Sequence, residues 1–250
     1  MSQPTVEFSV SAVPEQPRRQ GGRCAVCGVA VTRAGAQKHL AVCAPALDAV
    51  ANPEQRLIQF RVTAPGLAPY WLDIEVKAEA RLDALDSFLR RVWLECCGHL
   101  SAFRVGQLTY FSRGYDFGFS RVLGNLGPRQ LPERSMTVKV REVLMSSDDV
   151  LEYEYDFGST TSLRLRVTGE RTGRPGRPAV RLLVRNTPPE WPCAVCGQPA
   201  SKVCVYCIQE EKNAFVCTKH GNRHACGEGD GFLPVVNSPR MGVCGYTGGS

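Results

Sequence analysis

The sequence contains no apolar run near the roughly 18 residues that a membrane-spanning helix needs, which excludes an integral helical membrane protein. Its opening stretch, MSQPTVEFSVSAVPEQPRRQ, lacks the basic start and apolar segment of a signal peptide. Secretion is therefore not expected, and a cytoplasmic protein is. Lysine is scarce, since 24 of the 30 basic residues are arginine. A phosphate loop, a Gly-x-Ser-x-Gly elbow and a His-Glu-x-x-His helix are all missing, which removes three common grounds for expecting an enzyme. What the chain has in quantity is cysteine, twelve in 250 residues. In a cytosolic chain, cysteine pairs at short spacing read as metal ligands before disulfides.

The first constellation is Cys24-x2-Cys27-x11-His39-x3-Cys43. A Cys-x2-Cys turn lets two thiolates converge on one ion, and His39 and Cys43 stand one helical turn apart on the same side. Three sulfurs and one imidazole make a closed tetrahedral zinc site. The second constellation is Cys193-x2-Cys196-x7-Cys204-x2-Cys207-x9-Cys217-x2-His220-x3-His224-x-Cys226. These are the eight ligands that two tetrahedral zincs require. Alternating pairs resemble, in spacing, the cross-brace of RING, MYND and B-box modules. Cys193, Cys196, Cys217 and His220 are expected on one ion, and Cys204, Cys207, His224 and Cys226 on the other. Three zincs per chain are expected, replacing a core that such short segments cannot build. Cys244 is a spare, either displacing His224 or Cys226 or standing as a buried thiol. Cys96 and Cys97 have no partner pair and read as core.

Hydrophobic residues at 43% and charged residues at 22% are ordinary for a folded chain. The formal charge of +6 is local. Residues 161–189 hold Arg164, Arg166, Arg171, Arg174, Arg177, Arg181 and Arg185 against Glu170 alone. Such a stretch reads either as a solvated Arg/Gly/Pro loop or as a phosphate-contacting surface, with Arg171, Arg174, Arg177, Arg181 and Arg185 as the nucleic-acid contacts.

Around these features the chain divides into a flexible arm (1–22), a zinc finger (23–43), a linker (44–55), a central domain (56–187) and a two-zinc module with a Gly/Pro-rich tail (190–250). The fold class expected is α+β, a central antiparallel-sheet domain with packed helices flanked by two small zinc modules. Gln59–Thr63 and Trp71–Val76 read as strands about a Pro65-Gly66 turn. Residues 80–95 place Leu82, Leu85, Phe88, Leu89 and Val92 on one helical face, with Gly98 as a stop. His99–Tyr110 has strand composition. Residues 151–157 and 163–167 alternate as a hairpin about Gly158, Ser159 and Thr160, which sets Glu154 opposite Arg164 and Glu152 opposite Arg166.

Trp71-Leu-Asp-Ile-Glu-Val76, Leu82-x2-Leu85, Trp93 followed by His99-Leu100-x2-Phe103 and, most specifically, Tyr153-Glu-Tyr-Asp-Phe-Gly158 resemble the Ri-plasmid ORF-3-like family. That family is found on plasmids and insertion elements, where some members are labelled passenger TnpR-family proteins. The resemblance spans roughly residues 60–187 and implies an α+β fold with no established activity. Many members continue with Asp and Trp after the glycine, where this chain has Ser159-Thr160-Thr161. His220-Gly-Asn-Arg223 with Tyr246 matches a tyrosine recombinase only superficially, because the histidine belongs to the zinc framework. The function expected is therefore a non-enzymatic zinc protein that binds nucleic acid or a protein, associated with mobile elements. The alternative is an enzyme using His99 with an acid such as Asp156, although a helix-capping histidine and a turn acid account for the same residues.

Overall fold

The structure, a computed structural model, describes residues 21–112, 133–144, 149–210, 213–224, 226 and 231–249. The expected arm, apart from Gly21 and Gly22, lies outside them. The first strands, β1 (Gly22–Cys24) and β2 (Ala30–Val31), are followed by α1 (Ala36–Cys43) and a 3-10 turn, Ala44–Leu47. The central chain forms β3 (Gln55–Thr63), β4 (Trp71–Lys77), α2 (Leu82–Leu89), β5 (Ser101–Val105), β6 (Leu108–Phe111), β7 (Glu133–Ser135), α3 (Val140–Val143), β8 (Val150–Tyr155), β9 (Thr161–Gly173) and β10 (Val180–Asn186). The C-terminal part adds β11 (Lys202–Cys204), α4 (Val205–Gln209), β12 (Phe215–Val216), α5 (Thr218–Gly221) and β13 (Phe232–Pro234).

Ten strands make one sheet in the order β2-β1-β10-β4-β3-β9-β8-β5-β6-β7. Its pairs are antiparallel except β6 with β7. A smaller sheet runs β12-β11-β13. The architecture is thus α+β, few helices on a large, mostly antiparallel sheet, with cysteine/histidine clusters at both ends of the chain.

β4 explains how the N-terminal part is attached. Successive side chains of a strand point to opposite faces, and every residue from Trp71 to Val76 is buried. Leu72, Ile74 and Val76 enter the main core. Trp71 enters a second cluster with Cys24, Ala36, Leu40, Ala44, Leu183 and Val184. The cysteine/histidine unit of 23–43 therefore covers the second face of the central sheet. It is joined to that sheet by β1, which pairs with β10 through Gly22, Arg23 and Cys24. Gly22, expected in the arm, is a strand residue, and a Cβ there would lie 2.8 Å from the Trp71 ring.

The segment 44–55, expected as a linker, is held along its length. Asp48 accepts from Arg171 Nη1 at 2.6 Å, and Arg174 Nη1 donates to the carbonyls of Val50 and Asn52 at 3.0 and 3.2 Å.

The helix expected over 80–95 widens in its second half. α2 ends at Leu89, and Arg90–Leu94 form a π turn closed by Glu95 N–H donating to the Arg90 carbonyl at 2.8 Å. The wider turn advances the inward position, so Trp93 rather than Val92 is fully buried. His99–Tyr110 is two strands, turned at Gly106, whose φ of 57° suits glycine.

The 151–167 hairpin forms with a register two residues from that expected: Glu152 faces Arg164 and Val150 faces Arg166. A slip of two keeps every side chain on its face. The cause is Asp156, which leaves the strand at φ 65° while its carboxylate accepts from the N–H groups of Gly158 and Ser159 at 3.0 and 3.2 Å. Asp156 turns inward and Phe157, the last residue of the expected alternation, is exposed.

Candidate metal centres

Four groups of three cysteines and one histidine have all their ligand atoms within 4.8 Å of one another. A tetrahedral zinc with Zn–S near 2.3 Å and Zn–N near 2.0 Å sets its sulfurs about 3.8 Å apart and sulfur from nitrogen about 3.5 Å. The observed spacings lie near this geometry, 3.5–4.0 Å between sulfurs and 3.0–3.5 Å from sulfur to nitrogen.

In the first group, the turn from β1 to β2 carries Cys24 and Cys27, and α1 carries His39 and Cys43. Cys24 and Cys43 sulfurs are 3.8 Å apart, and Cys27 Sγ is 3.4 Å from His39 Nε2. Gly28, at φ 75°, donates to the Cys24 carbonyl at 2.9 Å and closes the turn. The same Cys-Ala-Val-Cys-Gly sequence recurs at 193–197 and folds the same way. Gly197, at φ 71°, donates to the Cys193 carbonyl at 2.9 Å.

The structure brings the C-terminal ligands together in alternating pairs. Cys193, Cys196, Cys217 and His220 form one group; Cys204, Cys207, His224 and Cys226 form another. In the former, His220 offers Nδ1 at 3.5 Å from Cys193 Sγ and 3.4 Å from Cys217 Sγ. In the latter, His224 offers Nε2 at 3.3 Å from Cys207, and Cys204 lies 3.7 Å from Cys226. β11 supplies Cys204, α4 supplies Cys207 and α5 supplies His220. This part is not a detached bead: Val203, Cys204, Cys207 and Phe215 belong to the main core, where Trp191 stacks on Phe215 with centroids 4.3 Å apart.

The electrostatics of these groups would be relieved by a cation. Burial opposes a charge on Cys193, yet backbone N–H groups of Cys217, Val195 and Cys196 bring its thiol down to about 6. Burial and the neighbouring sulfurs Cys27 and Cys24 push Cys43 up to about 12. Burial and the neighbours Cys204 and Cys226 do the same to Cys207, also to about 12. Three thiols this close ionise together only when a divalent cation offsets their repulsion. An ion held by all four side chains of such a group would have no open position for water, as in structural rather than catalytic zinc sites.

The fourth group was not legible from spacing. Cys96, Cys97, His99 and Cys244 converge, with Cys97 Sγ 3.0 Å from His99 Nε2, His99 Nε2 3.2 Å from Cys244 Sγ, and Cys97 Sγ 3.6 Å from Cys244 Sγ. Cys96 is half-buried and packs against the edge of the main core, whereas Cys97 is exposed and is not the core residue expected. Cys244, exposed, stands apart from His224 and Cys226, which are grouped with Cys204 and Cys207. The separation of 145 residues between His99 and Cys244 hid the group.

The arginine stretch is mostly engaged within the protein. Arg171 and Arg181 converge on buried Glu75 and on Asp48. Arg174 holds the 50–54 segment, and Arg185 donates to the Asn237 carbonyl at 2.9 Å. Of the five, Arg177 is exposed. These residues lie on β9, β10 and their connection, not on one solvated loop.

His99 Nε2 does approach Asp156 Oδ2, at 3.6 Å. The carboxylate, however, is the acceptor of Arg240 Nη2 at 2.7 Å, and the same imidazole nitrogen faces two sulfurs. An imidazole so placed lacks a carboxylate free to orient it for general-base work.

No protein-family model matches the chain, and no curated protein matches it. Among solved structures, it is similar to a protein of unknown function, MM3350, from Methanosarcina mazei Go1. The two are 15% identical with a TM-score of 0.40, over 52% of this chain and 69% of that one. No helix among the described residues is long and apolar enough to cross a membrane.

Proposed function

We propose that this chain is a non-enzymatic zinc protein whose metal centres hold its terminal modules in shape, and whose assembled surface binds a macromolecular partner. The observation that carries the reading is the donor chemistry. Each centre offers three thiols and one imidazole within 4.8 Å, a closed tetrahedral set suited to zinc. Cys24, Cys27, His39 and Cys43 would hold one ion. Cys193, Cys196, Cys217 and His220 would hold a second, and Cys204, Cys207, His224 and Cys226 a third. Bound zinc would supply charge compensation and cross-linking, not a reactive water.

Of the two partner classes, a protein is favoured over nucleic acid. Arg171, Arg174, Arg181 and Arg185 already donate within the chain, which leaves Arg177 as the exposed cation of that group. Association with mobile elements belongs to the same proposal and is supported by the motif Tyr153–Gly158. Elemental analysis of the reduced, full-length chain should give at least three zincs. A content of one or none would overturn the zinc reading. Retention on mixed DNA and RNA at low salt should be weak and unchanged by Arg177→Ala. Strong retention that falls steeply with salt would instead select nucleic acid as the partner.

A further inference from the structure

We propose that Cys96, Cys97, His99 and Cys244 form a fourth zinc centre, which fastens the C-terminal strap of 231–249 to the central sheet. The inference rests on the zinc reading of the other three groups and extends it to residues 145 or more positions apart.

Three observations point to it independently. The first is geometry. Cys96 and Cys97 sulfurs are 3.5 Å apart, and Cys97 and Cys244 are 3.6 Å apart. These are the edges of a ligand tetrahedron and far exceed the roughly 2.05 Å of a disulfide. The imidazole between two sulfurs has no role in a disulfide and an obvious one in a metal site.

The second is stoichiometry. The chain has twelve cysteines and four histidines, and each of the four groups takes three cysteines and one histidine. Counting this group, no thiol or imidazole is left over. The third is the backbone. In each group outside the Cys204 one, a cysteine precedes a glycine in the left-handed region: Cys27-Gly28 at 75°, Cys196-Gly197 at 71°, and here both Cys97-Gly98 at 77° and Cys244-Gly245 at 69°. A Cβ at any of these glycines would meet nothing within 4 Å, so conformation, not space, requires the residue. Cys244 itself sits at φ 48°, a conformation that non-glycine residues adopt when their surroundings impose it.

The strap is independently positioned to deliver Cys244. Ser238 Oγ donates to the Trp93 carbonyl at 2.6 Å, and Arg240 Nη2 donates to Asp156 at 2.7 Å. Arg240 also lies 3.5 Å from Cys96 Sγ, where it offsets thiolate charge beside the proposed ion.

Non-denaturing mass spectrometry of the full-length, reduced chain should show four zincs. Alkylation of that native chain, mapped by peptide, should spare Cys97 and Cys244 although both are exposed. Cys244→Ser should bind one zinc fewer than wild type, and Cys244→His should restore the fourth. A wild-type count of three, with rapid alkylation of Cys97 and Cys244 alone, overturns this centre and leaves the other three standing. A count below three overturns the zinc reading as a whole. Loss of two hydrogens from the intact mass, traced to a Cys97–Cys244 bridge, also overturns the fourth centre.

Discussion

Arg240 is a cation with no solvent exposure, held by one carboxylate, the Ser159 carbonyl and the Thr161 hydroxyl, with its guanidinium 4.8 Å from the Tyr155 ring centre. Removing one member of a buried ion pair leaves the other charge without compensation, which costs about 3–5 kcal/mol. Arg240→Met in the metal-loaded protein is expected to lose that much in urea unfolding. Arg240→Met with Asp156→Asn should recover part of it, because the remaining group is neutral. Asp48 gives a pH test. Hydrogen bonding to Arg171 holds its carboxyl below the usual carboxylate range. A depressed acid contributes stability above its unfolded pKa, near 3.9, and loses it as pH falls through the folded value. Wild type should therefore be more stable than Asp48→Asn at neutral pH, with the difference shrinking below about pH 4. A difference that grows on acidification would refute the pairing.

At the level of elements, Trp71 joins the cysteine/histidine unit to the sheet. It is 1% exposed, and large-to-small changes at such aromatic positions cost about 3–5 kcal/mol. Trp71→Ala should also admit a protease within 23–43, because the unit loses the face it rests on. Unchanged protection there would show that the β1–β10 pairing alone suffices. Among the described residues, six of the thirteen strands, β3, β4, β5, β6, β8 and β9, were legible because alternation survives tertiary context, whereas short strands such as β1, β11 and β12 carry too few residues to alternate. The two Cys-Ala-Val-Cys-Gly turns were legible because their ligands are local. The hairpin register was misjudged because Asp156 looks like one more alternating acid until its left-handed backbone and its Arg240 partner are known. The fourth cysteine group was missed for a related reason, since only the folded strap brings residue 244 to residues 96–99. The Cys-Gly doublets at 97–98 and 244–245 were the available signal.

Across the whole molecule, the cysteine/histidine units are structural partners of the central domain rather than appendages. One covers the outer face of β4, and the other shares the main core through Val203, Cys204 and Phe215. Chelation should therefore do two things. It should expose 23–43 and 190–249 to proteolysis, while β3, β4, β8 and β9 remain protected. It should also lower the unfolding midpoint of that protected remainder, because Trp71 and Asp156 lose their covering partners. An unaltered midpoint would mean that the central domain is energetically independent of both ends.

The inclusion of every histidine in a cysteine group has a consequence for proton exchange. Imidazole is the side chain whose ordinary pKa makes a protein buffer between pH 5 and 8. With all four imidazoles bound to metal, the loaded chain should take up almost no protons across neutrality. A potentiometric titration would be nearly flat there and would regain its slope only when the metal is stripped. Conversely, adding zinc to the stripped chain in weak buffer should acidify the solution by close to one proton per cysteine, since most thiols are protonated at neutral pH. The metal content of this protein should thus be readable with a pH electrode.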